Sequence, residues 1–251
     1  MGTFLSALQM EVLKGDPEAN LKKVERLSSL LPKGGLLLLP EVFCCGFDYG
    51  RLQELASQSA AVLEFLKDLS GKLDGVVVAT LPLKEGNCVY NAAVVFDKGR
   101  LLGRRPKIKL FPLFKEPLHF CPGREEENRV FETSVGKVGI VVCFEVRFNS
   151  LTNALRRQGA QIILVPALWG LERREHFKVL TRARAIETQS FLVAANGWGK
   201  GGDRTFFAGS SGIYSPWGEV LAYKEDGEGP LVAEVDLSQV EKVRKKLPVD
   251  L

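Results

Sequence analysis

Histidine is nearly absent from this chain. His119 and His176 are the only two in 251 residues, too few to support a Cys/His zinc site, and no metal centre is expected. The five cysteines (Cys44, Cys45, Cys88, Cys121 and Cys143) contain no CxxC pair and no repeating spacing. An odd, scattered set of this kind is read as reduced thiols in a cytoplasmic protein, and the adjacent Cys44 and Cys45 are not expected to bridge each other. No apolar run approaches the length of a bilayer span, and the N-terminus has neither a basic stretch nor a long apolar one, so no membrane association is expected. Lys and Arg nowhere cluster with interleaved aromatics, and the net charge is only +4, which argues against a nucleic-acid groove. Arg244-Lys-Lys246 reads as a solvated terminal segment. No proline-, glycine- or serine-rich linker divides the chain, and residues 1–251 are read as one domain.

Hydrophobic residues make up 45% of the chain and charged residues 25%, the proportions of an ordinary globular protein. Apolar strands alternate with amphipathic helices. Thr3 to Gln9 reads as a strand. Asp16-Pro17 then offers an N-cap and a first-turn proline to a helix whose apolar positions are Leu21, Val24, Leu27 and Leu31. Leu36 to Leu39 is the second strand, Leu52 to Leu66 a second helix and Gly75 to Ala79 a third strand. Val89 to Phe96 and Leu101 to Arg105 form a hairpin about Asp97-Lys-Gly-Arg100. The pattern then renews itself: strand Val138 to Val142, a helix ending near Gly159, strand Gln161 to Val165, a helix over Glu172 to Gln189, and strand Phe191 to Ala195. Ser210 to Tyr214, Val220 to Tyr223 and Leu231 to Val235 are expected to close it as a meander. The repetition predicts an α/β protein with internal pseudo-symmetry, two sheets face to face and helices outside. The coils Phe111 to Asn128 and Gly197 to Ala208 are long enough to suggest binding loops. Gly199-Lys-Gly-Gly-Asp203 lacks the strand and helix of a phosphate loop and reads as a plain loop.

The chemistry centres on Cys143. Gly139-Ile-Val-Val-Cys-Phe-Glu-Val-Arg147 puts a thiol where a short apolar run gives way to charge, at the expected end of a buried strand. A thiol near neutral pH is mostly protonated, so a catalytic Cys needs a cation or base beside it. Two partners are open. One is a histidine, His119 or His176. The other is Glu41, which ends the run Leu36-Leu-Leu-Leu-Pro-Glu41, where burial would raise its pKa toward that of a general base. With Glu41 as base, Lys107 would stabilise an oxyanion together with the Phe144 backbone N–H, and Glu116 would orient Lys107 or the departing ammonia. Each position also has a plainer reading, as a solvated glutamate or an inert buried cysteine.

These segments resemble, in order, the motifs of the nitrilase superfamily of carbon–nitrogen hydrolases. Leu38-Leu-Pro-Glu41 resembles its glutamate segment, Pro106-Lys-Ile-Lys-Leu-Phe111 its lysine segment, and Gly139 to Phe148 its nucleophile segment. Glu116, shortly before Cys121-Pro-Gly123, falls where the family has a second glutamate. Val165-Pro-Ala-Leu-Trp169, Arg182 to Glu187, Ala195-Asn196 and Ser215-Pro-Trp-Gly218 extend the likeness over nearly the whole chain. The resemblance implies a four-layer αββα sandwich, a Glu41–Lys107–Cys143 triad supported by Glu116, and a thioester acyl-enzyme. It also implies no metal or organic cofactor, and assembly of like chains into dimers or larger homo-oligomers through outer helices. A small-molecule amide is the expected substrate, with nitrile or N-carbamoyl amine hydrolysis, or a catalytically silent scaffold, as alternatives. Lys109 stands where the family often has histidine, Glu145 where amidase-like members have Asp, and Asn149 where proline is common. Lys109 hints at a substrate bearing a carboxylate. Trp169 reads equally as substrate pocket or core, while Arg147, Arg184 and Glu187 read as structural ion pairs or subunit contacts.

Overall fold

The structure, a computed structural model, describes residues 2–202 and 205–249. In chain order the elements are β1 (Thr3–Gln9), α1 (Pro17–Ser28), β2 (Leu36–Leu38), α2 (Leu52–Ser57), α3 (Ser59–Lys72), β3 (Val76–Glu85), β4 (Cys88–Asp97), β5 (Arg100–Pro106), β6 (Phe131–Thr133), β7 (Gly136–Ile140), α4 (Asn149–Arg157), β8 (Ile162–Ala167), α5 (Arg174–Thr188), β9 (Phe191–Asn196), β10 (Trp198–Lys200), β11 (Phe206–Ala208), β12 (Ser211–Tyr214), β13 (Val220–Lys224), β14 (Gly229–Val235) and α6 (Ser238–Lys246).

Two six-stranded sheets run β14-β1-β2-β3-β4-β5 and β13-β12-β9-β8-β7-β6. The anticipated pseudo-symmetry holds strand for strand. In each sheet three parallel strands (β1, β2, β3 and β7, β8, β9) continue into two antiparallel ones (β4, β5 and β12, β13), and one antiparallel strand (β14 or β6) covers the other side. Helices make the parallel crossovers, as parallel pairing requires. Alternation assigns the faces. Leu36, Leu38, Val76, Val78, Ala93 and Val95 point into the core shared with the second sheet. Leu37, Leu39, Val77, Ala79, Val94 and Phe96 point outward onto Val24, Leu27, Val62, Leu66 and Leu69 of α1 and α3. The N-terminus of α1 forms as expected, with Asp16 accepting from Ala19 N at 3.0 Å.

Four expectations change. Leu231–Val235 does not close a meander: β14 crosses to the other sheet and pairs antiparallel with β1, Thr3 opposite Val235. Its alternating burial suits a strand with one face on the core. The helix expected over Leu52 to Leu66 is broken into α2 and α3 at Gln58, where the Ser57 hydroxyl bonds back to Glu54 O (2.6 Å) and competes with the helical ladder. Arg244 is not solvated. It lies on α6, donates to Ala160 O (2.6 Å) and Ser190 Oγ (3.0 Å), and is pushed down to about 10 by burial and then by Arg156. Finally, Cys88 and Cys121 are joined in a disulfide, with Cα atoms 5.7 Å apart. The hairpin sets Cys88 beside the later loop, where Cys121 N donates to Val89 O (2.9 Å), a long-range contact that cysteine spacing cannot reveal. The reduced-thiol reading fails for this pair; Cys44, Cys45 and Cys143 are free and buried.

Candidate active site

The four sequence-selected polar residues reach one place because three chain segments end there. Pro40 stops the β2 ladder, and Glu41 N donates to Ala167 O (3.3 Å), tying the carboxyl end of β2 to that of β8. Cys143 follows β7 and opens the 3-10 turn Cys143–Arg147. Lys107 follows β5, its N–H on Asn91 O at 2.8 Å. The loop after it returns so closely that Gly123 N donates to Lys107 O (2.8 Å), and a Cβ on Gly123 would meet Pro106 O at 2.8 Å. Three residues at or next to these groups occupy left-handed backbone space disfavoured for side-chain-bearing residues: Val42 (φ 38°), Lys115 (φ 56°) and Cys143 itself (φ 50°). Such strain concentrates where side chains must be aimed rather than merely packed.

Glu41, Lys107, Glu116 and Cys143 line one small cavity with Phe47, Tyr49, Phe111, Phe114 and Leu168. Lys107 Nζ donates to Glu41 Oε1 (2.7 Å) and to both oxygens of Glu116 (2.8 and 3.0 Å). Asn91 Nδ2 also reaches both carboxylates, at 2.8 Å to Glu41 and 3.0 Å to Glu116. Backbone N–H groups complete the set, Leu168 on Glu41 Oε2 (3.1 Å) and Phe111 on Glu116 Oε2 (2.7 Å). Glu41, Asn91, Lys107 and Glu116 are each at most 1% exposed, and Cys143 is 8% exposed. Burial raises the Glu41 carboxyl above its ordinary range, with Lys107 opposing and Glu116 adding to the rise. Burial alone would lower Lys107, but the two carboxylates reverse this and hold it charged. Burial and then Glu41 raise the Cys143 thiol, which Lys107 only partly offsets, so the resting sulfur carries its proton.

A second cavity adjoins the first at Cys143, Phe111, Phe114 and Leu168, and its remaining wall is Phe144, Arg147, Trp169, Gly170 and Arg173. The Arg147 guanidinium lies over the Trp169 ring at 4.8 Å and that of Arg173 over Phe111 at 5.6 Å. Trp169 is 5% exposed, packs on Phe177 and donates from Nε1 to Arg173 O (2.8 Å), and it also lines this cavity. Phe144 contributes its half-buried ring to the same wall, against Phe111 and Phe148.

Other expectations divide. Neither histidine lines either cavity: His119 stacks on Tyr49 and His176 contacts Arg147 (3.1 Å), so a Cys143–His pair is not formed. Lys109 points away, paired with the exposed Glu125 at 2.6 Å. The cations facing the cleft are instead Arg147, expected to be structural, and Arg173, which sequence reading passed over. Arg184 and Glu187 do form their ion pair at 2.5 Å, and Arg184 Nε also holds Val146 O (2.9 Å) behind the nucleophile turn. Glu145 proves to be a buried strut. It accepts from Val142 N and Ile108 N (both 2.6 Å) and pairs with buried Arg105, coupling the lysine segment to the thiol segment. Asn91 was missed as well. Its signal was an amide inside an otherwise apolar strand, which burial permits only with partners. Among the described residues no group of three or more His, Cys, Asp or Glu could hold a metal ion, and no helix is long and apolar enough to cross a membrane.

Comparison with known proteins gives concordant findings. A family model described as carbon-nitrogen hydrolase matches residues 4–245. A 2-oxoglutaramate amidase of Bacillus subtilis is 34% identical over 249 residues, covering 98% of this chain and 95% of that protein. A deaminated glutathione amidase of Synechocystis is 28% identical, covering 99% and 97%. Among solved structures, Saccharomyces cerevisiae Nit3, a member of branch 10 of the nitrilase superfamily, superposes with a TM-score of 0.89 at 23% identity, covering 100% of this chain and 96% of that one, a likeness of fold.

Proposed function

Because the chain belongs to the carbon–nitrogen hydrolase family, we propose that it hydrolyses a linear carboxamide to a carboxylic acid and ammonia through a thioester on Cys143. The observation that carries this reading is the buried Glu41–Lys107–Glu116 array facing the sulfur, with no imidazole in reach. The amide carbon is attacked by sulfur as Glu41 takes the thiol proton, which suits a carboxylate whose proton affinity burial has raised. The resulting oxyanion is met by the Lys107 ammonium and by the Phe144 N–H, since the leading N–H groups of a helical turn have no partner within it. The C–N bond then breaks, Glu41 passes its proton to nitrogen, and ammonia departs. Water attacks the thioester with Glu41 again as base, the C–S bond breaks, and the thiol recovers its proton. Glu116 and Asn91 hold Lys107 and Glu41 in place throughout.

The acyl group sits on the arginine side. Arg147 has no carboxylate within salt-bridge distance among the described residues. The carboxylate nearest Arg173 is Glu172 at 3.5 Å, and its side chain is 90% exposed. Two cations on an aromatic wall beside the thiol favour an acyl group that ends in a carboxylate, as the substrates in the two relatives' names do. Assembly with a second copy is also part of this reading, supported by the exposed apolar side chains Val179, Ile186 and Trp217 on and beside α5. Ammonia release from ω-monoamides of dicarboxylic acids, from neutral amides and from nitriles tests the function, with Cys143→Ala as control. Turnover of the monoamides by wild type alone is expected; equal inertness of both proteins across the panel contradicts it.

A further inference from the structure

Tyr49 has no part in the steps above, yet it is held with care. Its ring lies flat on His119, centroids 4.1 Å apart and planes at 7°, and edge-on to Phe120 at 6.3 Å. Both partners belong to the turn that starts at Glu116, where Phe120 N donates to Glu116 O (2.9 Å). The next residue, Cys121, is bridged to Cys88. The ring is therefore fixed from behind by the segment that carries Glu116. Its hydroxyl is shielded from solvent and has no hydrogen-bond partner among the described residues. The side chain lines the cavity of Glu41, Lys107, Glu116 and Cys143. A buried hydroxyl is normally satisfied, and here an occupant of the cavity is what can satisfy it.

The two cavities meet at Cys143, and Tyr49 lines only one of them. On the reading proposed above, the acyl chain extends from Cys143 along the arginine wall, so the scissile nitrogen lies on the opposite, carboxylate side. The geometry points to Tyr49 as the residue that binds the leaving nitrogen: its oxygen accepts an N–H of the substrate –NH2 group. Burial, and then the charges of Glu116 and Glu41, raise the phenol above its ordinary range, so it stays neutral and retains an acceptor oxygen without becoming a competing base. As the C–N bond breaks, nitrogen takes the proton from Glu41 and its N–H groups become more acidic, so the bond to Tyr49 strengthens toward the transition state. Tyr49 keeps its own proton throughout. The contact distinguishes an amide from an ester of the same acid, whose leaving oxygen offers no N–H.

The test compares Tyr49→Phe with wild type on succinamate and on monomethyl succinate, reading kcat/KM, which reports acylation. The variant retains the ring and its stacking on His119, so the thermal midpoint should not move. The expected result is a fall of about 3- to 10-fold on the amide, the ordinary worth of one neutral hydrogen bond, with the ester unchanged. An equal fall on both substrates, or no fall on either, overturns the assignment alone. A wild-type protein that turns over neither substrate overturns the amide-hydrolysis reading and this assignment together.

Discussion

The floor and the mouth of the cleft use charge in opposite ways. On the floor every charged group has a partner inside the protein, with Lys107 between Glu41 and Glu116 and Asn91 bridging both carboxylates. At the mouth Arg147 and Arg173 lean on aromatic rings and contact no buried carboxylate. A partnered set is machinery that stands ready whether or not substrate is present. Two cations without a buried partner mark, on the reading proposed above, where a substrate carboxylate would bind. The floor also depends on its neighbours far more, because a buried ion left without its partner is costly, whereas a half-buried arginine can turn toward water.

Substitutions can break or sharpen this contrast. The largest effect is expected from Cys143→Ala, which removes the nucleophile: turnover should fall at least ~10^3-fold with the circular dichroism spectrum unaltered. Lys107→Met should also abolish turnover and, unlike the first, damage the fold. Two buried carboxylates would face each other without a cation, a loss of about 3–5 kcal/mol in denaturant unfolding. Unchanged stability in that variant would mean the floor is not electrostatically interlocked. At the mouth, Arg147→Gln should raise KM for a carboxylated amide about 10- to 100-fold, the range of a charged hydrogen bond, and leave a neutral amide nearly untouched. Similar losses on both substrates would remove the arginine from acyl recognition.

The pH profile probes the floor alone. Glu41 works as a base only when ionised, and its pKa lies above the ordinary carboxylate range. As acid is added, kcat/KM should therefore decline at a higher pH than a solvent-exposed glutamate would dictate; a profile flat down to the usual carboxylate range would contradict this. The smallest effect belongs to Lys109→Ala. Its ammonium is committed to exposed Glu125 outside both cavities, and KM for a carboxylated amide should shift about twofold or less.

Glu41 and Cys143 were legible in the sequence because each ends an apolar run at an abrupt change to polar residues, the pattern of a buried strand opening onto a rim. The parallel strands and their crossover helices were legible for the same reason, through periodicity. Other features depend on the third dimension. Nothing local marks Leu231–Val235 as the partner of β1 rather than β13, since pairing partners are chosen by which edge is free. Cys88 and Cys121 meet only once the hairpin and the Glu116 loop are folded. Arg147 was read as a structural ion pair or subunit contact, and its place on the cavity wall over Trp169 shows only once the chain is folded. Tyr49 gave no signal at all: a tyrosine in a polar loop is unremarkable until its hydroxyl is found buried and unpartnered.

The central claim is that Cys143 becomes acylated while Glu41 and Lys107 manage its protons and charge. Wild-type protein in excess over a dicarboxylic monoamide, quenched in acid within milliseconds and mapped by peptide mass spectrometry, tests it most directly. The expected result is the acyl mass on the peptide containing Cys143, decaying as free acid appears. An acyl mass on another residue, or undiminished ammonia release by Cys143→Ala, would contradict it.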